Sequence, residues 1–226
     1  MAASSQPPKI LPPEEPIPFQ TLSDRLTSIL NRRSLSPEAL TLIAAFFIGG
    51  GTGLAIAAFR YLTWGIEDLT FESLMGVLAP ISPWTLALIP ALGGLLVGLL
   101  RWKLPEFFGQ GWSALLSDSR DQPISPLRPV LKLVGAAISL GTGASLGPEG
   151  PSVEIGANIG VLLGQNFQVA KERYRLLLGA GAAAGLAAGF NAPIAGVFFA
   201  LEVVLGQAFT SQGASLILLS AVVSSL

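Results

Sequence analysis

Gly141-Thr142-Gly143-Ala144-Ser145-Leu146-Gly147-Pro148-Glu149-Gly150-Pro151 joins two apolar segments, Leu127 to Leu140 and Glu149 to Gln165. Each segment is shorter than the ~20 residues a helix needs to cross a bilayer. Short apolar pieces interrupted by Gly and Pro are tolerated at membrane depth only where their broken ends are buried in protein or line a cavity. Pro151 suits the first turn of a helix, where its missing N–H costs nothing, and the glycines before it let the chain turn sharply into that helix. Several N–H groups are then left without intrahelical partners. A helix start of this kind carries about half an elementary positive charge and can hold an anion without lysine or arginine. Such weak, desolvated coordination suits conduction, because the ion must also leave.

Glu149 stands at the same helix start. An ionised carboxylate there competes with an anion for one place, so a movable Glu149 acts as a gate. An intramembrane glutamate points to function by default. The plainer alternative is a static carboxylate that satisfies the helix dipole. A nucleotide loop does not fit: the stretch reads G-x-G-x-x-x-G, lacks Gly-Lys-Ser/Thr and follows no recognisable strand.

Composition agrees with a lipid setting. Hydrophobic residues make up 51% of the chain and charged ones 12%, too apolar for an ordinary soluble domain. A net charge of -1 without a long basic tract gives no reason to expect nucleic acid as a partner. Cysteine and histidine are both absent, which removes disulfides, thiolate catalysis, the usual zinc sites and imidazole bases. Proton chemistry falls to carboxylates, no second carboxylate is placed beside Glu149, and the chain reads as a non-enzyme with no cofactor.

Working outward, residues 1–20 hold six prolines among polar residues and read as a disordered tail. Over residues 21–35, Leu22, Leu26, Ile29 and Leu30 recur at helical spacing, predicting an amphipathic helix on the membrane surface. Ser36-Pro37-Glu38 is a helix start, and uncharged Ala39 to Phe59 is a first span. Arg60 to Glu72 reads as an acidic connection. A second span follows Pro80, Pro83 and Pro90 and closes at Arg101 and Lys103. Basic residues before span one (Arg25, Arg32, Arg33) and after span two place the N-terminus on the cytoplasmic side. Trp112 to Ser117 is a short helical piece. Asn191-Ala192-Pro193 splits Leu176 to Leu201 into two helices, and Ser211 to Leu226 begins another. Glycines at fourfold spacing, Gly94/Gly98, Gly156/Gly160/Gly164 and Gly181/Gly185/Gly189, predict closely packed helices.

Gly147-Pro148-Glu149-Gly150-Pro151 followed by Ser-Val-Glu-Ile-Gly-Ala-Asn-Ile-Gly resembles the CLC chloride channels and transporters. Phe190-Asn191-Ala192-Pro193-Ile194-Ala195-Gly196 with Phe199-Ala200-Leu201-Glu202 is a second match. Pro105 to Trp112 is a weaker third, in which Gln110 replaces the serine of the family's Gly-Ser-Gly-Ile-Pro and Trp112-Ser113 replaces Ile-Pro. The resemblance runs from about Ser36 onward. It implies an all-α membrane protein, a CLC-type bundle of tilted and broken transmembrane helices over residues 36–226, corresponding to the first of two inverted repeats.

It further implies a homodimer with one chloride pathway per subunit, Glu149 as outer gate, and anion contacts from Gln110, Gly111, Trp112, Gly147, Pro148, Gly150 and Pro151. Family exchangers carry an inner glutamate just after the position of Glu202. Here that position is Val203, as in the family's channels, so Glu202 and Val203 mark a doubtful proton route. The expected activity is passage of chloride or a similar monovalent anion. The alternatives are proton-coupled exchange and a non-conducting membrane subunit.

Overall fold

The computed structural model describes residues 37–74, 85–108, 127–166, 171–206 and 211–226. The Pro-rich tail, the amphipathic helix over 21–35, the short helix over 112–117 and the contacts assigned to Gln110, Gly111 and Trp112 lie outside them.

Helix α1 begins at Pro37, as its sequence signature predicts, and runs to Glu67; it widens to π-type hydrogen bonding over Asp68–Leu74. The acidic connection expected after Phe59 is therefore helical. No proline interrupts it, and threonine hydroxyls fold back onto the helix, Thr63 donating to the Phe59 carbonyl at 2.8 Å. The Thr70 hydroxyl lies within reach of the Ile66 carbonyl (2.8 Å) and, across the bundle, of the Gly141 carbonyl (2.9 Å). Its single proton serves one acceptor at a time.

Helix α2 is Thr85–Lys103, with Pro90 inside it. The expectation that the helix starts after Pro90 is corrected: the proline falls in the second turn, where only one backbone bond is forgone. Helix α3 is Leu127–Gly141, α4 Glu149–Asn166 and α5 Lys171–Phe190. Helix α6, Pro193–Phe199, continues as a π-helical turn over Ala200–Leu205, and α7 is Ser211–Ser224. The break between α5 and α6 is where the sequence puts it. Asn191 takes the left-handed conformation (φ 53°), which asparagine tolerates, and the Ala192 N–H caps the Ala187 carbonyl at 3.1 Å. Pro193 then opens α6.

Helix α5 is the hub. Ala180, Ala182, Ala183, Ala184 and Ala187 are all fully buried, as expected of a helix apolar on every side. One core joins it to α1, α6 and α7 through Ile48, Leu205 and Ile217. A second joins α4 to α5 through Val161 and Leu178, and a third joins α1, α3 and α4 through Ile56, Ala137 and Ile155.

The α4–α5 contact is backbone against backbone. A Cβ on Gly156 would overlap the Gly181 carbonyl, one on Gly181 the Gly156 carbonyl, one on Gly160 the Leu177 carbonyl, and one on Gly185 the Ser152 carbonyl. The order of these pairs makes the helices antiparallel. Close packing at Gly94 and Gly98 is not found: no atom lies within 4 Å of a Cβ built on either. Both sit on a face of α2 that no other described element covers.

Outward faces are as apolar as the interior. Phe46 (65% exposed), Phe47 and Leu54 on α1, Leu92 and Leu95 on α2, and Ile194 and Phe198 on α6 all stand clear of the bundle. A soluble monomer does not carry so much contiguous apolar surface. By length and composition one helix among the described residues, Ala39–Ser73, can cross a membrane, while Pro129–Gly141, Pro193–Leu205 and Gly213–Ser224 are apolar but shorter. Tyr61 and Trp64 stack edge to face at 5.7 Å with Arg60 over the Trp64 ring at 5.4 Å, a group of the kind that settles at a membrane–water boundary.

Replacing Gly156 or Gly181 with valine forces the α4 and α5 backbones apart, a clash that no rotamer relieves. We expect a loss of at least about 1–3 kcal/mol, read as a lower thermal midpoint for monodisperse protein in detergent. Gly50→Ala, where nothing lies within 4 Å, is expected to be neutral or to gain up to ~1 kcal/mol.

Candidate functional site

Two helix ends meet in the stretch that opened the sequence. Helix α3 closes in a Schellman cap: the Gly143 N–H donates to the Leu140 carbonyl at 2.9 Å and the Ala144 N–H to the Ser139 carbonyl at 3.0 Å. Gly143 supplies the left-handed residue this cap requires, at φ 87°. A side chain there would also meet the Phe71 ring, its Cζ 2.8 Å from the added carbon, so the π-helical end of α1 braces the turn. The Thr142 hydroxyl donates to the Ile138 carbonyl at 2.7 Å.

The chain then crosses from Ala144 to Pro148 and enters α4. The Leu146 N–H donates to the Ala144 carbonyl at 2.7 Å and the Ser152 N–H to the Pro148 carbonyl at 2.9 Å. Among the described residues, the N–H groups of Ser145, Gly147, Glu149 and Gly150 meet no backbone carbonyl. Pro148 and Pro151 have no N–H to offer. They shape the entry into the helix, and the donors of the set are Gly147, Glu149 and Gly150.

Glu149 is the first residue of α4. Its carboxylate turns back over Gly147 and occupies the place where a side chain on residue 147 would stand. It therefore lies at the positive end of the helix dipole, and among the described residues it has no side-chain hydrogen bond. Leu146, Gly147, Glu149 and Gly150 are all exposed, because α3 and α4 cover the stretch from one side only. The expected burial at this position is not provided by the described residues.

The π-helical turn with Glu202 and Val203 stands apart from this end. Both are exposed, whereas Val204 and Leu205 reach Gly179 on α5, each within 3.6 Å of its built Cβ. Ser152, one turn into α4, faces Gly185 and Gly189. At 1.5 Å per residue, Gly179 and Gly189 are about 15 Å apart along α5. Glu149 and Glu202 thus sit toward opposite ends of the α4–α5 pair.

Sequence reading missed Lys132. Its ammonium pairs with the Glu154 carboxylate across α3 and α4, with side chains 14% and 20% exposed. The Asn158 amide donates to the Glu154 carbonyl at 2.7 Å. A cavity of about 230 Å³ beside the pair is walled by Lys132, Leu133, Gly150, Pro151, Glu154 and Ile155. The available signal was a lone lysine deep in an apolar helix, which needs a named partner.

Comparison with known proteins follows the same residues. Residues 116–226 match the family described as voltage gated chloride channel. The chain is 38% identical over 204 residues to chloride channel protein CLC-e of Arabidopsis thaliana, covering 84% of this chain and 28% of that one. It is 38% identical over 185 residues to the H(+)/Cl(-) exchange transporter ClcA of Citrobacter koseri, covering 76% and 38%. Among solved structures it is similar to a slow cyanobacterial Cl-/H+ antiporter, with a TM-score of 0.68 and 32% identity over 85% of this chain and 46% of that one. The chain spans less than half the length of each of these three.

Gly143→Ala puts an L residue into the left-handed region against Phe71. We expect a loss of about 1–2 kcal/mol, or roughly 2–4 °C in thermal midpoint per kcal/mol for a chain of this size. Tryptophan fluorescence during heating in detergent measures it.

Proposed function

We propose an anion-pathway role for this chain, which belongs to the CLC family of chloride channels and chloride–proton exchangers. Its all-helical architecture is part of that family's fold. Family members are integral membrane channels and transporters, not enzymes.

In this reading the N–H groups of Gly147, Glu149 and Gly150 hold a chloride ion at the start of α4, and the Glu149 carboxylate is the gate. The observation that carries it is the carboxylate folded over Gly147, at the helix end where an anion would bind. With the carboxylate in place the site is filled. With it neutralised or swung outward the same donors are open. Backbone dipoles suit such a site because they hold an anion without the deep well a lysine or arginine would create. Gln110, Gly111 and Trp112 are assigned to an inner constriction. The chain is taken to cross the bilayer several times with its N-terminus in the cytoplasm, and to work as one subunit of a homodimer.

Channel-type conduction is the reading we favour, on Val203: a valine cannot carry a proton where the family's exchangers place a glutamate. Coupled exchange is the second reading, supported by the likeness to the cyanobacterial antiporter. A small movement of the Glu149 side chain suffices for gating under either.

Glu149→Gln in the intact protein, reconstituted in liposomes, is expected to leave chloride flux running without dependence on external pH. A chloride electrode reads the flux and a pH electrode reads proton movement. Proton transport stoichiometric with chloride in the unaltered protein establishes exchange. No chloride flux in either protein refutes the anion-pathway reading.

A further inference from the structure

Over residues 63–73, at the end of α1, Thr63, Ile66, Thr70 and Phe71 are half-buried and the residues between them are exposed. Consecutive side chains of an α-helix do not share a face. Thr70 and Phe71 both turn inward where the helix has widened to π-type hydrogen bonding, over Asp68–Leu74, a winding frequent at functional sites. What they meet is the end of α3. Gly141 lies so close to Ile66 and the Thr63 carbonyl that a Cβ would not fit. The Thr70 hydroxyl is 2.9 Å from the Gly141 carbonyl, at a helix end whose last carbonyls have no partner within the helix. The Phe71 ring fills the space beside Gly143, its Cζ 2.8 Å from a Cβ built there, and on the α2 side Gly93 makes room for Thr142.

The bridge from Ala144 to Pro148 is thus held at two ends. One end is tied to α4 by the Ser152 N–H on the Pro148 carbonyl at 2.9 Å, the other to the α3 cap by the Leu146 N–H on the Ala144 carbonyl at 2.7 Å. Gly147 lies in this bridge, ahead of the first residue of α4, exposed and with no side chain to anchor it. Its amide points where the two ends leave it, and hydrogen bonds weaken steeply with misalignment.

We infer that Phe71, with Thr70 beside it, is a positioning residue for the anion site: the π-turn of α1 holds the α3 cap so that the Gly147 N–H converges with those of Glu149 and Gly150 on one chloride ion. This rests on the anion-pathway reading above and extends it to a helix that supplies no ligand. Neither side chain touches the anion. Bracing alone would be met by one apolar side chain on a regular α-helical turn, whereas the π-turn sets a hydroxyl and a ring against two points of the same cap.

The test uses the intact protein in liposomes with Glu149→Gln as background, so that the gating carboxylate does not compete with chloride. Chloride flux is measured against chloride concentration, because a loss of stability lowers the maximal flux and leaves half-saturation where it was. Phe71→Ala is expected to raise the half-saturating chloride concentration by about three- to tenfold, as expected for weakening one hydrogen bond to a charged group. Thr70→Val, which removes the hydroxyl and keeps the shape, is expected to raise it by about threefold. Phe71→Met, which refills the space, and Thr70→Ser, which restores the hydroxyl, are expected to return close to the background value. Leu69→Ala, on the same turn but 65% exposed, is expected to leave half-saturation unchanged.

Raised half-saturation in Phe71→Ala and Thr70→Val, reversed in the conservative variants, supports the inference. Unchanged half-saturation with lower maximal flux overturns it and leaves the π-turn as a brace, and so does an equal shift in Leu69→Ala. If Phe71→Ala yields no monodisperse protein, Thr70→Val against Thr70→Ser decides by the same criterion. If the Glu149→Gln background carries no chloride flux, the anion-pathway reading itself falls and this inference falls with it.

Discussion

Everything at the α4 start depends on how closely α4 can approach α5. Four positions, Gly156, Gly160, Gly181 and Gly185, place backbone against backbone with no room for a methyl group between them. In lipid, apolar side chains gain little by leaving one apolar surround for another, so close packing and short backbone contacts carry helix association instead. This seam sets the height and rotation of α4. It thereby sets where the free N–H groups of Gly147, Glu149 and Gly150 point. An anion site made of backbone dipoles has no long side chain to adjust its reach, and its scaffold must be rigid for the site to exist.

The features legible in the sequence are those written in backbone chemistry. Pro37, Pro151 and Pro193 each stand at the start of a helix, Asn191 ends one in the left-handed conformation, and Gly143 closes α3. The glycine spacing on α4 and α5 predicts the seam. Each of these is a local constraint that acts whatever surrounds it.

What escaped the sequence depends on neighbours or on register. Arg60 to Glu72 reads as a connection on its charges alone, yet the helix that begins in the apolar stretch runs on through them, 35 residues from Ala39 to Ser73, longer than the ~20 a bilayer core needs. Pro90 reads as a barrier, but a proline inside a helix removes one hydrogen bond and bends the helix without having to end it. Gly94 and Gly98 share the fourfold spacing of the seam and face open space, since spacing states what can pack and not what does. Lys132 and Glu154 are 22 residues apart, and neither helix alone reveals that they meet. Gln110, Gly111 and Trp112 were placed by resemblance and lie outside the described residues.

The contrast between the two glutamates of α4 follows from their positions on one helix. Glu149 is at the first residue, where the dipole favours a negative charge, and among the described residues it has no cationic partner; its carboxylate rests against Gly147 and can leave without breaking an ion pair. Glu154 is one turn further in, where the dipole offers little, and it is held by Lys132. A carboxylate that must move gains from being held by a diffuse field, whereas one that must stay needs a discrete opposite charge. The same residue type on the same helix therefore stands once in a diffuse field and once in an ion pair, separated by five positions.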